Sequence, residues 1–146
     1  MRDESKLILV DTNILIYAYD TQDLRKHKIA VKLLEKCWDG STIYYISAQN
    51  LAEFFVVATK KIEKSLAIEQ AEQIINDISL FEGWIKINYD AKTLIKSVFL
   101  YKKYGRSFWD SVIASTMLEN QVYVIYTENT KDFENFEQIT VINPFK

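Results

Sequence analysis

The chain has 146 residues, of which 49% are hydrophobic and 26% are charged, and its formal net charge is −2. This size and composition are typical of one globular domain with a substantial buried core, so we expect a single domain over residues 1–146. The slightly acidic balance argues against a protein coated with basic charge for non-specific nucleic-acid binding. It remains compatible with a nucleic-acid enzyme that has a small basic rim.

Two features of the sequence bear on its location. Residues 7–10 are the only strongly apolar run near the start of the chain, which is too short for a signal-peptide core or a membrane span. The single cysteine, Cys37, cannot form an internal disulfide. We therefore expect a cytoplasmic protein that does not associate with membranes.

Apolar, β-branched and aromatic segments alternate with segments of helical periodicity. The predicted strands are residues 7–10, 43–46, 84–87, 122–126 and 140–142. Helices are predicted from about residue 14, over about 26–38, 48–60 and 66–81, from a cap at Asp90 to Gly105, and from Ser107 to a point before Val122. This alternation predicts an α/β sandwich around a largely parallel sheet.

Acidic residues follow several of these strands. Asp11 comes directly after the first, Glu53 lies less than two turns into the helix after the second, and Asp110 lies in the first turn of a later helix. Asn129 and Asp132 follow the fourth strand. Because ligands bind outside the carboxyl ends of parallel strands, we expect these side chains to meet at one edge of the sheet. Gathered carboxylates repel one another, and a divalent cation is the usual reason for keeping them together.

Such a cation, Mg²⁺ or Mn²⁺, polarises a phosphodiester and lowers the pKa of a bound water, so that no histidine base is needed. Other kinds of site are poorly supported. One cysteine and one histidine cannot build a structural zinc site, no glycine-rich phosphate loop is present, and the serines lack a suitably placed histidine.

Each acidic motif also has a simpler structural explanation. Asp11, Thr12 and Asn13 are suitable as a helix N-cap, and Asp110 suits the positive end of a helix dipole. Residues 128–132 are compatible with an ordinary polar turn. The occurrence of all four motifs at strand ends favours a shared functional site over four separate coincidences.

Four segments, taken in order, resemble the successive motifs of PIN domains, and most closely those of VapC-type toxin ribonucleases. They are residues 10–15 (VDTNIL), 47–54 (SAQNLAEF), 108–114 (FWDSVIA) and 126–133 (YTENTKDF). The resemblance spans nearly the whole chain. It implies a three-layer sandwich and a metal-dependent endoribonuclease that acts on RNA, is usually a homodimer and is inhibited by a cognate antitoxin protein.

The resemblance also implies roles for individual residues. Asp11, Glu53 and Asp110 would be the acidic metal-site residues, completed by Asn129 and Asp132. Supporting roles fall to Thr12, Asn13 and Thr127, and weaker candidates for RNA-backbone contacts are Lys60, Lys61 and Arg106. Many PIN domains have an acid where this chain has Asn129, so we expect one well-held Mg²⁺ or Mn²⁺ and a second recruited only with substrate.

Two alternatives remain at this point. Asn129 motivates a catalytically silent PIN domain that acts as an RNA-binding or scaffold module. A small phosphatase with Asp11 as its nucleophile is the other, but enzymes of that kind usually have a second aspartate two residues later, where this chain has Asn13. The plentiful aromatic residues should mostly be core, with any excess marking a dimer surface.

Overall fold

A computed structural model describes the backbone of residues 3–146 and the side chains of residues 6–146. Five parallel strands form one sheet in the order β3-β2-β1-β4-β5. The strands are β1 (Asp3–Val10), β2 (Thr42–Ser47), β3 (Trp84–Ile87), β4 (Val124–Tyr126) and β5 (Thr140–Ile142). The five predicted strands are confirmed, although β1 begins earlier than predicted and β4 begins two residues later.

Seven helices connect and flank these strands within the described residues. They are α1 (Thr12–Tyr17), α2 (Leu24–Trp38), α3 (Ala48–Lys60), α4 (Ile68–Leu80), α5 (Ala91–Tyr104), α6 (Phe108–Glu119) and α7 (Thr130–Phe133). Helix α1 begins two residues earlier than predicted because Asp11 is itself the N-cap, and its carboxylate accepts a hydrogen bond from the Thr12 N–H at 2.8 Å. The short α7 was not predicted. No helix in the described part of the chain is long and apolar enough to cross a membrane.

The sheet is covered on both faces, which confirms the three-layer sandwich. Ile8 and Val10 of β1 pack into a core built with α1, α2, α3 and α4. Leu9, between them, points to the opposite face and packs into a second core with α5, α6 and α7. This alternation of side chains along a strand buried on both faces explains why residues 7–10 form an uninterrupted apolar run.

Helix α5 leaves several of its apolar residues exposed to solvent. Its buried face consists of Thr93, Ser97 and Leu100, whereas Ile95 is 74% exposed and Phe99 is 63% exposed. Small residues on the buried face let α5 pack closely against α6. The exposed stripe is therefore an unpaired surface of this chain rather than part of its core.

The sheet order places a crevice between β1 and β4. After β1 the chain turns toward β2, and after β4 it turns to β5 on the other side, so the connections leaving these two neighbouring strands diverge. Such a reversal of strand order is where parallel α/β sheets bind ligands. The Asp11 N–H donates to the Tyr126 carbonyl at 3.0 Å, which places the ends of both strands at this crevice.

Candidate active site

Asp11 is the most restrained acid at the crevice, since only 6% of its surface is exposed. Its Oδ1 accepts hydrogen bonds from the Thr12 N–H at 2.8 Å and from Asn50 Nδ2 at 3.1 Å. Its Oδ2 accepts from Thr127 Oγ1 at 2.7 Å and from Asn13 Nδ2 at 3.2 Å. Burial raises the pKa of this carboxyl, and the hydrogen bonds from Thr127 and Thr12 act in the opposite direction. These four donors fix the orientation of the carboxylate.

Asn50 was not among the predicted site residues. It is fully buried, and its Nδ2 donates to Thr12 Oγ1 at 3.1 Å as well as to Asp11. Its Oδ1 accepts from Ser47 Oγ at 2.7 Å and from the Ser47 N–H at 3.2 Å. Asn50 therefore links the capping box of α3 to the acid at the end of β1. The sequence signal was the asparagine three residues after the capping serine.

Asn13 and Thr127 join the loops that leave β1 and β4. Asn13 Nδ2 donates to Thr127 Oγ1 at 3.1 Å, and Asn13 Oδ1 accepts from the Glu128 N–H at 3.0 Å. Thr127 Oγ1 also accepts from the Asn129 N–H at 3.0 Å. Both predicted supporting residues thus contact Asp11 and hold the segment that carries Asn129 against it.

Glu53 projects from α3 toward the same crevice and is exposed. Its Oε2 lies 3.2 Å from Thr12 Oγ1, and its Oε1 accepts from Gln49 Nε2 at 3.3 Å. The Gln49 amide also donates to the Trp109 carbonyl at 3.2 Å, which connects α3 to the first turn of α6. These contacts explain how Glu53 is held on the solvent-facing side of α3 although its neighbours in the sequence are apolar.

Asp110, in the first turn of α6, is half-buried and receives no hydrogen bond on its carboxylate from the side chains that the structure describes. Burial, followed by the negative charges of Asp132, Asp11 and Glu53, raises its pKa from 3.8 to about 7. The structure thus brings the other three predicted carboxylates within electrostatic reach of Asp110.

These acids surround a cavity of about 400 Å³. Asp11, Glu53, Asp110 and Asn129 line it, together with apolar walls from α1 and α3. Asp132 lies in α7 and acts on Asp11 and Asp110 through its charge. The three candidate RNA contacts, Lys60, Lys61 and Arg106, are exposed and are not among the residues that line the cavity.

Two further acids, Asp20 and Glu128, line this cavity, and Glu128 is already paired. Glu128 accepts a hydrogen bond from Tyr17 Oη at 2.8 Å and forms an ion pair with Lys26. The Lys26 ammonium also lies 5.1 Å from the centre of the Tyr17 ring. Glu128 is thereby turned toward α2. No sequence pattern connects Lys26 to Glu128, because they are 102 positions apart.

The chemistry of these donors fits a hydrated hard cation. No three acidic, histidine or cysteine side chains in the described part of the chain converge closely enough to enclose a metal directly. Mg²⁺ usually keeps several waters and uses only one or two protein carboxylates, so a site that places Asp11 and Asp110 at one cavity meets that requirement. Because the donors are all oxygens, they suit Mg²⁺ or Mn²⁺ better than zinc.

The family model described as PIN domain matches residues 8–139. Among solved structures, a toxin–antitoxin complex from Klebsiella pneumoniae is 24% identical, with 94% of this chain and 97% of that chain covered and a TM-score of 0.63. VapC20 of Mycobacterium tuberculosis, a toxin that cleaves the sarcin-ricin loop, is 18% identical, with 87% and 92% covered and a TM-score of 0.66. FitAB bound to a DNA fragment is 21% identical, with 96% of each chain covered and a TM-score of 0.69.

No curated protein matches this chain. The three structures named above share less than a quarter of their aligned residues with it, so they bear on the fold alone. The family model covers most of the chain, including Asp11, Glu53, Asp110 and Asp132. The chain therefore belongs to the PIN domain family.

Proposed function

We propose that this protein is a Mg²⁺- or Mn²⁺-dependent endoribonuclease that hydrolyses RNA phosphodiesters. One observation carries the proposal: Asp11, Glu53 and Asp110 line a single cavity at the point where strand order reverses. Burial, together with the negative charges of Asp132, Asp11 and Glu53, raises the pKa of Asp110 to about 7. A protein that keeps unpaired carboxylates together is less stable without a cation, so a cation-dependent function is the physical reason to keep them.

Asp11 and Asp110 would be the main ligands of the cation. Glu53 would hold either the cation or its water, and Asn129 and Asp132 would complete the site. When bound, the cation supplies Lewis-acid polarisation of the phosphodiester and lowers the pKa of a coordinated water.

The protein residues contribute positioning. The hydrogen bonds to Asp11 hold its carboxylate in one orientation before any ligand arrives, which reduces the reorganisation that binding requires. Thr12 Oγ1, 3.2 Å from Glu53 Oε2, limits the rotation of that longer side chain. Asp110 must lose its proton before it can act as a ligand.

We further propose that the nuclease is the toxin of a toxin–antitoxin pair, with a cognate antitoxin protein as its partner. Support comes from the descriptions of its structural relatives, which include a toxin–antitoxin complex and VapC20. We also propose a cytoplasmic homodimer. The exposed apolar stripe of α5, where Ile95 and Phe99 face solvent in the single chain, supports the homodimer.

The test is RNA cleavage by purified protein on a panel of structured RNAs, in Mg²⁺ or Mn²⁺ and in chelator. We expect metal-dependent cutting that falls at least about 100-fold in Asp11→Asn. The control is Glu69→Gln, which changes an exposed acid in the first turn of α4 and should cut like the wild type. Equal cutting by Asp11→Asn would contradict the proposed site.

A catalytically silent module is the second candidate, and Asn129 favours it because an amide oxygen is a weaker ligand than a carboxylate. The wild type would then cut no RNA and bind no divalent cation. Cation binding without cutting would instead retain the metal site and direct the search to other RNA substrates.

A further inference from the structure

A second groove adjoins the acidic cavity. It has a volume of about 590 Å³ and lies between the start of α3, the connection from β3 to α5 and the first turn of α6. Glu53 lines both spaces, so the groove opens directly beside the acids. Its other walls include Ala52, Tyr89 and Trp109, with the amides of Gln49 and Asn88 among them.

Trp109 is the unusual feature of this groove. Residues 111–117 of α6 are all buried, whereas Trp109 is 54% exposed and directly precedes Asp110. Its carbonyl accepts from Gln49 Nε2 at 3.2 Å, and its ring lies 6.1 Å from that of Phe108 in an edge-to-face arrangement. The half-exposed Trp109 indole therefore lies beside the acids, on a backbone that is hydrogen-bonded to α3. Such an indole is suited to stack against a flat ligand.

We propose that this groove binds an unpaired nucleobase of the RNA, with the Trp109 indole as the stacking surface. This inference rests on the proposed ribonuclease function. Stacking on an aromatic side chain requires a base that is free of its duplex partner. The substrate would therefore be cut in a single-stranded segment or loop, with the base in the groove belonging to a nucleotide beside the bond that is cleaved.

Two observations favour a nucleobase over a protein segment. The groove is continuous with the acidic cavity through Glu53, so a chain whose phosphate lies at Asp11 and Asp110 can place a neighbouring base in it. Gln49 Nε2 already donates to Glu53 and to the Trp109 carbonyl, and Asn88 Oδ1 accepts from the Tyr89 N–H, so the Gln49 oxygen and the Asn88 nitrogen are the amide atoms that can hydrogen-bond to base edges. The stripe on α5, by contrast, offers aliphatic and phenyl groups typical of a protein interface.

The first measurement is the binding of a fluorescently labelled single-stranded octanucleotide RNA, monitored by fluorescence anisotropy. Chelator is present so that no metal-dependent cleavage occurs. We expect Trp109→Ala to raise the Kd about tenfold and Trp109→Phe, which keeps an aromatic ring, to stay near the wild type. Tyr123→Ala is the matched control, because Tyr123 is 45% exposed and directly precedes β4, at the amino ends of the strands and away from the acids at their carboxyl ends. A duplex RNA of the same sequence should show no dependence on Trp109.

A second variant fills the groove without removing the indole. Ala52 is an exposed residue of α3 that lines the groove, so Ala52→Leu should fold and weaken single-strand binding to a similar extent. Its control is Ala91→Leu, at the exposed first residue of α5. Thermal unfolding of each variant confirms that the folded protein is being compared.

The outcomes separate this inference from the proposed function. If the wild type cuts RNA but neither Trp109→Ala nor Ala52→Leu changes Kd or KM, the base site is wrong and the ribonuclease stands. If Trp109 and Ala52 govern single-strand binding while the wild type neither cuts RNA nor binds a divalent cation, the base site stands and the ribonuclease is wrong. If Trp109→Ala and Trp109→Phe both convert a dimer into a monomer in light scattering, the groove is an interface between copies and the inference is overturned.

Discussion

Asp11 and Asp110 lie at the same cavity but are held in opposite ways. The Asp11 carboxylate is buried and accepts four hydrogen bonds, from one backbone N–H and three side chains. The Asp110 carboxylate is half-buried and has no such donor among the described side chains, and its pKa is raised to about 7. One acid is fixed before ligand arrives, and the other is free to respond to a proton or a cation.

The difference indicates that the two acids have different roles in binding a cation. A rigid carboxylate defines where a cation is placed, because its orientation is set by the protein rather than by the ligand. A loosely held carboxylate with a raised pKa gains most from a nearby positive charge, because the cation removes the repulsion from Asp132, Asp11 and Glu53.

The hydrogen bonds to Asp11 are tested by Thr127→Val, which removes the hydroxyl that donates to Asp11 Oδ2 at 2.7 Å while keeping the side-chain shape. We expect kcat/KM for RNA cleavage to fall about 10- to 100-fold, as for other residues that orient a metal ligand. Thr127→Ser retains a hydroxyl and should keep most of the activity. Full activity in Thr127→Val would show that the orientation of Asp11 does not depend on this hydrogen bond.

The titration of Asp110 is tested by the pH dependence of stability without metal. Because the pKa of Asp110 is above its ordinary 3.8 in the folded protein, its contribution to stability is fully present below about pH 4 and is lost as pH rises through about 7. In chelator, we expect the free energy of unfolding to fall between pH 5 and pH 8, by about 1–2 kcal/mol from Asp110 after allowance for solvent screening.

The raised pKa of Asp11 adds to the same trend. Asp110→Asn should therefore remove only part of the fall, and it should be more stable than the wild type at pH 8 in chelator. Denaturant unfolding at a series of pH values measures both effects. A wild-type stability that rises over this pH range would contradict the description of Asp110.

The amide at Asn129 is tested by Asn129→Asp, which places a carboxylate on the wall of the acidic cavity. We expect affinity for Mn²⁺ to increase about three- to tenfold and the metal-free protein to become less stable at pH 8, since a further negative charge joins the cluster. Asn135→Asp, at an exposed residue just after α7, is the control. Equal effects from both substitutions would mean that the change reflects overall charge.

The smallest expected effect concerns the lysines at the end of α3. Lys60→Ala and Lys61→Ala should each weaken RNA binding about two- to fivefold and reduce the salt dependence of binding by about one ion per lysine removed. Lys36→Ala, in the last turn of α2, serves as the comparison. If all three variants show the same salt dependence, Lys60 and Lys61 do not contact the RNA backbone.

Strands and most helices were predictable from sequence because β1 and β2 bury short apolar runs and because Asp11, Ser47 and Asp90 are good caps. The exposed stripe of α5 was not predictable, since helical spacing alone does not reveal which face a neighbouring helix covers. That depends on the close packing of α5 against α6, which uses Thr93 and Ser97 rather than the apolar residues.

The candidate acids could be identified from their positions after strands. The structure places Asp11, Glu53 and Asp110 around one cavity, whereas Asp132 acts on Asp11 and Asp110 through its charge. Their metal and catalytic roles stay predictions. Asn50 was overlooked because its capping position gives no sign that the same amide reaches Asp11. The pairing of Lys26 with Glu128 depends on the tertiary arrangement of α2 beside the loop after β4, which no local pattern encodes.

The most direct test of the contrast between the two acids is a calorimetric titration of Mn²⁺ into the wild type, Asp11→Asn and Asp110→Asn at pH 7.5. We expect the wild type to bind about one Mn²⁺, Asp11→Asn to lose that binding, and Asp110→Asn to bind more weakly and release fewer protons, as measured in buffers of different ionisation enthalpy. Undiminished binding in Asp11→Asn, or no binding by the wild type, would contradict this expectation.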